Sequence, residues 1–154
     1  MSLHSAWTAT DPFLRAVLAT WQIMARALDS VPEMIIKGIL PWCLTPELYT
    51  ARPEYIGSLA EFIRGRPMPP VDAFIRQSGA VLAHDATAVL GSIQAPTLIT
   101  FGRYDLVCGP RFPAPLSQDI SNSEVIMFEG CSHTPVYENV KAFNEQTLAF
   151  LQRH

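Results

Sequence analysis

The sequence predicts an α/β protein: a mostly helical region over residues 1–92, followed by a β-α-β-α unit over residues 93–154. Two observations predict this division. Prolines separate helical patterns in the first region, whereas the second contains two short apolar runs, 96–101 and 124–128, each closed by a glycine. Strands that alternate with helices through short connections are parallel and joined by right-handed crossovers.

The first predicted helix begins at Asp11 and Pro12, a capping acceptor followed by proline at the first helical position. Apolar residues then recur at spacings of three and four, which predicts one buried face formed by Phe13, Val17, Trp21, Met24 and Leu28. Proline-bounded helices are predicted at 33–39, 46–49, 55–64, 71–84 and 86–93. A short strand within 2–7 stays open, because the run is too short to assign from its pattern.

The second region predicts a buried strand at 96–101, a helix over 112–120 and a second buried strand at 124–128. An amphipathic helix over 136–152 follows, and its spacing predicts an inner face of Val140, Phe143, Leu148 and Leu151.

Composition excludes several function classes. The chain is 49% hydrophobic with a net charge of −3, and its basic residues are scattered, so we expect no nucleic-acid partner. The N-terminus shows no signal-peptide pattern and no apolar stretch is long enough to cross a membrane, so we expect no membrane association and a cytoplasmic location. Three cysteines without metal-ligand spacing favour neither a disulfide scaffold nor a zinc site. We expect no metal and no organic cofactor.

Asp105 and His133 are the candidate catalytic residues. Each lies three residues after a glycine that ends a predicted strand, Gly102 and Gly130. The carboxyl ends of parallel strands meet at one edge of a sheet, where reactive groups gather. A carboxylate there can hold an imidazole in one tautomer and stabilise its protonated form, as in a catalytic triad. Taken singly, Asp105 also fits a capping residue and His133 an ordinary loop histidine.

The segments around these residues resemble the α/β-hydrolase superfamily. Residues 95–105 look like its penultimate core strand and acid turn, and residues 124–133 like its last strand and histidine turn. Glu138 and residues 143–151 match the closing helix of that family. The resemblance is good over residues 70–152. Within the superfamily, the chain most resembles the group of esterases, enol-lactonases and carbon–carbon bond hydrolases. It implies a helical lid for residues 1–92 and the C-terminal part of the core for residues 93–154.

The family's nucleophile motif, G-x-S-x-G, is absent from this sequence. The resemblance therefore implies the acid and histidine of a serine-hydrolase triad on a chain that we expect to be inactive alone. Two functions stay open: a hydrolase whose serine comes from another chain, or a noncatalytic dimerising or small-molecule-binding module. We expect a homodimer, or a partner chain that supplies the N-terminal half, and allow an apolar small-molecule ligand.

Other candidate residues have ordinary explanations. His84 and Asp85 are expected to finish a helix, and His4 with Ser5 to be chain terminus. Cys131, two residues from His133, fits a small buried cysteine better than a nucleophile. Five aromatic residues favour the core of the helical region over a pocket lining: Trp21, Trp42, Tyr49, Tyr55 and Phe62.

Overall fold

The computed structural model describes all 154 residues, which form two compact units. The helical unit comprises Thr10–His84, and the sheet unit comprises Met1–Ala9 together with Asp85–His154. None of the helices combines the length and the hydropathy that a membrane crossing requires.

In the helical unit, helix α1 spans Pro12–Leu28. The Asp11 carboxylate accepts a hydrogen bond from the Leu14 amide (2.7 Å), so the predicted N-cap is confirmed. The buried face consists of Leu14, Val17, Leu18, Trp21 and Ala25. The predicted face was wrong at both ends, where Phe13 and Leu28 are exposed. The buried stripe instead runs through Leu14 and Ala25. Successive residues of a helix lie about 100° apart around its axis, so Phe13, next to Leu14, lies off this stripe.

Shorter helices complete the helical unit: α2 (Val31–Met34), α3 (Leu40–Cys43), α4 (Pro46–Ala51), α5 (Pro53–Arg64) and α6 (Val71–Leu82). A π-helical turn, Ile35–Ile39, joins α2 to α3 in one continuous run, because the residues at both junctions are helical. Pro41 was expected to separate helices but lies within this run. Four buried side chains form a core here, Leu40, Leu44, Leu48 and Ile63.

Trp21 ties α1 to the π-helical turn, because its Nε1–H donates to the Gly38 carbonyl at 3.0 Å. We expect Trp21→Phe to lower the free energy of unfolding by about 1–2 kcal/mol, since it leaves this buried carbonyl without the indole donor. Urea denaturation followed by circular dichroism measures this effect. Ile23→Ala, at an exposed position of the same helix, is the control and should change stability by less than about 0.5 kcal/mol. Equal losses in both variants would contradict the prediction.

The sheet unit is built on three parallel strands, β1 (Ser2–His4), β2 (Thr97–Gly102) and β3 (Ser123–Phe128), in the order β1-β2-β3. Leu98 pairs with Ser2 on one side, and Thr97 pairs with Ser123 on the other. The predicted parallel arrangement is confirmed. Residues 2–7, which the sequence pattern left unassigned, contain strand β1.

Every residue of β2 is buried, as its apolar run predicted, because β2 is the central strand. The prediction that β3 is also buried was wrong. Val125 is exposed and only Phe128 is buried in this strand. Since β3 lies at an edge of the sheet, a continuous apolar run does not require burial on both of its faces.

Four helices accompany the sheet, α7 (Thr87–Leu90), α8 (Pro113–Asp119), α9 (Pro135–Glu138) and α10 (Val140–Arg153). The last predicted helix is thus two helices, since Asn139 caps α10 with its side chain. The predicted inner face of α10 was wrong at three of its four positions, because Val140, Leu148 and Leu151 are all more than half exposed, whereas Phe143 is partly buried. Phe150 is buried instead, and the Phe143 ring contacts the ring of Phe128 in β3.

Candidate functional site

Asp105 and His133 meet beyond the carboxyl ends of β2 and β3. His133 Nδ1 lies 3.0 Å from Asp105 Oδ2, within hydrogen-bonding distance. Asp105 lies in the turn that follows β2, and His133 in the turn that follows β3. Because the two strands are parallel neighbours in register, the turns emerge at one edge of the sheet.

The Asp105 carboxylate is buried and accepts hydrogen bonds at both oxygens. Oδ1 accepts from the amides of Val107 (2.8 Å) and Cys108 (2.9 Å), while Oδ2 faces His133. Burial by itself raises the pKa of this carboxyl. The hydrogen bond and charge of His133, with the two amides, outweigh burial and hold the pKa of Asp105 below its ordinary value. The carboxylate is therefore ionised at neutral pH.

His133 keeps part of its side chain accessible, with 23% exposed, whereas the side chain of Asp105 is fully covered. An ionised carboxylate accepts only, so Nδ1 is the donor in this pair. A neutral imidazole with its proton on Nδ1 keeps Nε2 as a proton acceptor. The arrangement can therefore take a proton at Nε2 while the carboxylate stabilises the resulting positive charge.

Backbone contacts hold the turn after β2 against the turn after β3. The Tyr104 amide donates to the Cys131 carbonyl (2.9 Å), and the Arg103 amide donates to the Phe128 carbonyl (3.0 Å). Gly102 permits this approach, because a Cβ atom there would lie 1.8 Å from the Ser132 carbonyl oxygen. The separation of Asp105 and His133 thus depends on backbone packing.

Two further side chains anchor the histidine turn. The Glu138 carboxylate accepts from the Ser132 amide (2.6 Å), and the Ser5 hydroxyl donates to the His133 carbonyl (2.7 Å). Ser5 directly follows β1, is buried and has a positive φ of 47°. Sequence reasoning missed this residue, since it took His4 and Ser5 as chain terminus. The sequence feature that could have identified Ser5 was the possible strand within 2–7, because a strand there would have placed Ser5 at the same edge of the sheet.

We expect Ser5→Ala to lower the free energy of unfolding by about 1–2 kcal/mol, because the His133 carbonyl loses its hydroxyl donor. Thermal denaturation of the native chain and the variant measures this loss. Ser117→Ala is the control, since the Ser117 hydroxyl is exposed and bonds only within its own helix α8. A Ser5→Ala variant as stable as the native chain would show that the bond does not hold the turn.

His4, the last residue of β1, contacts the neighbouring strand and α10, since its Nδ1 lies 2.7 Å from the Thr100 hydroxyl and its ring contacts Phe143. Burial lowers the pKa of His4. His84 and Asp85 do not finish a helix as expected, because α6 ends at Leu82. Asp85 instead forms an isolated bridge with Ala9, and its carboxylate accepts from the Thr87 amide at 2.9 Å.

The three cysteines, Cys43, Cys108 and Cys131, are buried and form no disulfide. Burial raises the pKa of the Cys131 thiol to about 11, and the charge of Glu138 acts in the same direction. A thiol that is protonated at neutral pH is a poor nucleophile. Cys108, which sequence reasoning did not connect with the site, lies close to the pair. Its sulfur, an Asp105 oxygen and a His133 ring nitrogen all lie within 4.8 Å of one another.

The aromatic residues of the helical unit divide between core and surface. Trp21 is buried, and Tyr49 and Tyr55 pack against the leucine-rich core, as predicted, whereas Phe62 is exposed. An open cavity of about 410 Å³ is lined by Pro41, Leu44, Pro46, Tyr49 and Thr50. This cavity belongs to the helical unit alone and contains neither Asp105 nor His133.

No family model matches the sequence. Among curated relatives, proline iminopeptidase of Thermoplasma volcanium is 32% identical over 77 residues, covering 50% of this chain and 26% of the relative. A 2-hydroxy-6-oxononadienedioate/2-hydroxy-6-oxononatrienedioate hydrolase of Pseudomonas putida is 40% identical over 63 residues, covering 41% of this chain and 22% of the relative. The matched segments thus span about a quarter of these relatives.

Solved structures match nearly the whole chain. An α/β-hydrolase enzyme from a Medee basin deep-sea metagenome library superposes with a TM-score of 0.85 at 23% identity, covering 99% of this chain and 55% of that one. The enol-lactonase of Burkholderia xenovorans LB400 superposes with a TM-score of 0.82 at 19% identity, covering 98% and 55%. The chain therefore has part of the α/β-hydrolase fold, and it spans about half the length of these neighbours.

Proposed function

We propose that Asp105 and His133 are the acid and the base of a serine-hydrolase triad that acts on esters, lactones or similar carbonyl compounds. The observation that carries this proposal is the contact between Asp105 Oδ2 and His133 Nδ1 at matching ends of parallel strands. The part of the α/β-hydrolase fold in this chain supports it, as do relatives and structural neighbours described as hydrolases, an esterase and an enol-lactonase.

In the proposed reaction, His133 Nε2 accepts the proton of a hydroxyl nucleophile as its oxygen attacks the carbonyl carbon of the substrate. The same proton then passes from Nε2 to the leaving group when the tetrahedral intermediate breaks down. Asp105 stays ionised throughout and stabilises the imidazolium. The amides of Val107 and Cys108 hold the Asp105 carboxylate in place. Glu138 and Ser5 hold the turn that carries His133.

We propose that the nucleophile comes from a partner chain or from a segment outside this sequence, since no G-x-S-x-G occurs in it. Without a positioned hydroxyl and an oxyanion site, His133 has no group to activate. Loss of these elements costs several orders of magnitude in rate. The chain alone is therefore expected to be inactive.

Turnover of p-nitrophenyl butyrate by the purified chain tests this proposal, with His133→Ala beside it. We expect both to hydrolyse the ester at the rate of buffer alone. Turnover by the native chain that disappears in His133→Ala would reveal a nucleophile within this sequence and contradict the proposed incompleteness. Cys131→Ala and Ser132→Ala would then identify which side chain near His133 supplies it.

A second candidate function is a noncatalytic module that forms a homodimer. The observation that favours it is the exposed apolar face of α10, where Val140, Leu148 and Leu151 share one side of the helix. A two-fold axis would place this face against its copy. Sedimentation velocity at increasing concentration tests it: a dimer that dissociates in Leu148→Glu supports the module, and a monomer at all concentrations contradicts it.

The remaining proposals concern ligand and location. An apolar small molecule is the ligand we propose for the open cavity of the helical unit, because Pro41, Leu44 and Tyr49 present apolar surface there. We also propose a cytoplasmic location, because three buried cysteines that form no disulfide suit a reducing compartment.

A further inference from the structure

We propose that Asp105, Cys108 and His133 form a binding site for a thiophilic divalent cation such as Zn²⁺. This site uses both residues of the candidate triad together with a cysteine that the proposed hydrolytic function does not use. The proposal rests on the geometry of the three side chains and does not require the chain to hydrolyse any substrate. Carboxylate oxygen, thiolate sulfur and imidazole nitrogen are all established zinc ligands.

The ligand atoms are already near the separations that such a cation requires. They lie within 4.8 Å of one another, and the carboxylate oxygen and ring nitrogen are 3.0 Å apart. Zinc binds oxygen and nitrogen at about 2.0–2.1 Å and sulfur at about 2.3 Å, so tetrahedral ligands lie roughly 3.3–3.6 Å apart. Binding therefore needs shifts of about 1 Å or less at each ligand atom.

The backbone presents Asp105 and Cys108 on one side of the same turn. Asp105 Oδ1 remains bonded to the Val107 and Cys108 amides, so Oδ2 is the oxygen available to a cation. These amides hold the carboxylate in place in the way that hydrogen-bond partners orient metal ligands. His133 completes the set from the turn after β3, and its partly exposed ring gives a route of entry from solvent.

The charges also suit a covered site. One Asp105 carboxylate and one Cys108 thiolate neutralise a divalent cation, and a neutral imidazole adds no charge. Binding releases the thiol proton, while the neutral ring keeps one proton, which moves from the coordinating Nδ1 to Nε2. The complex therefore carries no net charge where a lone buried ion would be costly. A cation bound at Nδ1 replaces the proton that His133 shares with Asp105, and it would block the proposed general base.

Sequence spacing did not reveal this site. Zinc motifs are recognised by paired ligands at short intervals, and the chain has none. Here one pair, Asp105 and Cys108, is three residues apart and the third ligand lies 25 residues further along the chain. Only the parallel pairing of β2 with β3 brings His133 to them.

Titration of the metal-free chain with Co²⁺ tests the proposal, because cobalt replaces zinc in such sites and a thiolate ligand produces a near-ultraviolet charge-transfer band. We expect one equivalent of Co²⁺ to produce this band, and Zn²⁺ to abolish it by displacing the cobalt. Cys108→Ser should lose the band, whereas Cys131→Ser, which changes another buried cysteine of the same unit, should retain it.

A second variant separates ligand loss from misfolding. His133→Gln keeps both Asp105 and Cys108, and we expect it to bind Co²⁺ at least about tenfold more weakly, with the far-ultraviolet circular dichroism of the native chain. No band in the native chain, a band that survives Cys108→Ser, or unchanged affinity in His133→Gln would each overturn the proposal. None of these cobalt-binding measurements depends on ester turnover, so failure of the hydrolytic proposal leaves this test unaffected.

Discussion

Gly102→Ala is expected to prevent the sheet unit from folding stably. A Cβ at this position would lie 1.8 Å from the Ser132 carbonyl oxygen and 2.5 Å from that of Cys131. Both are backbone atoms, so no side-chain rotation relieves the contact. The turn after β3 would have to move away from β2, which breaks the backbone bonds between the two turns. We expect a loss of about 3 kcal/mol or more in the free energy of unfolding.

Urea denaturation followed by circular dichroism measures this loss, and Gly91→Ala is the matched control. Gly91 lies in the same unit with an ordinary φ of −64°, and the nearest atom to its Cβ position is 3.8 Å away. We expect this variant to differ from the native chain by less than about 0.5 kcal/mol. If Gly102→Ala proved as stable as Gly91→Ala, the close approach of the two turns would be wrong.

Asp105→Ala is expected to cost about 3 kcal/mol or more, because each buried donor left without its acceptor costs about 1–3 kcal/mol. Without the carboxylate, the Val107 and Cys108 amides lose their shared acceptor and His133 loses its partner. Asp105→Asn keeps an oxygen for the two amides and should lose less. Denaturation midpoints of both variants at neutral pH measure the difference. Equal losses would show that the bonds to the two amides contribute nothing and that the charge accounts for the whole effect.

The stability that the Asp105 charge contributes should decrease as the pH falls. The pKa of Asp105 is lowered in the folded chain, so the unfolded chain binds a proton more readily on acidification. The stabilisation is therefore complete above the unfolded value of 3.8 and is lost as the pH falls through the lower folded pKa. The stability difference between the native chain and Asp105→Asn should narrow below pH 3.8. A difference that instead grows on acidification would contradict the lowered pKa.

The sequence predicts correctly those parts of the fold in which the residue pattern and the environment in the folded chain agree. The apolar run of β2 is closed by a glycine and is buried on all sides, so its pattern and its environment agree. Asp105 and His133 each lie three residues after a glycine, Gly102 and Gly130, that closes a predicted strand, which predicted a common edge of the sheet. The structure places them 3.0 Å apart.

Other features depend on contacts between segments that are distant in sequence. Ser5 meets His133 only because β1 pairs with β2, and a strand of three residues carries too little pattern to assign. Helix α10 has apolar residues on more than one face, so periodicity alone could not decide whether Leu148 or Phe150 faces the sheet. Cys108 approaches His133 through the pairing of β2 with β3, which no local spacing encodes.

We propose that Asp105 holds His133 in the tautomer that a general base requires. A long-range ¹H–¹⁵N correlation spectrum of the imidazole rings tests it directly, with the His133 signals assigned by their loss in His133→Gln. We expect a proton on Nδ1 and none on Nε2 of the neutral ring in the native chain, and the reverse in Asp105→Asn. A native chain with the proton on Nε2, or the same tautomer in both proteins, would contradict it.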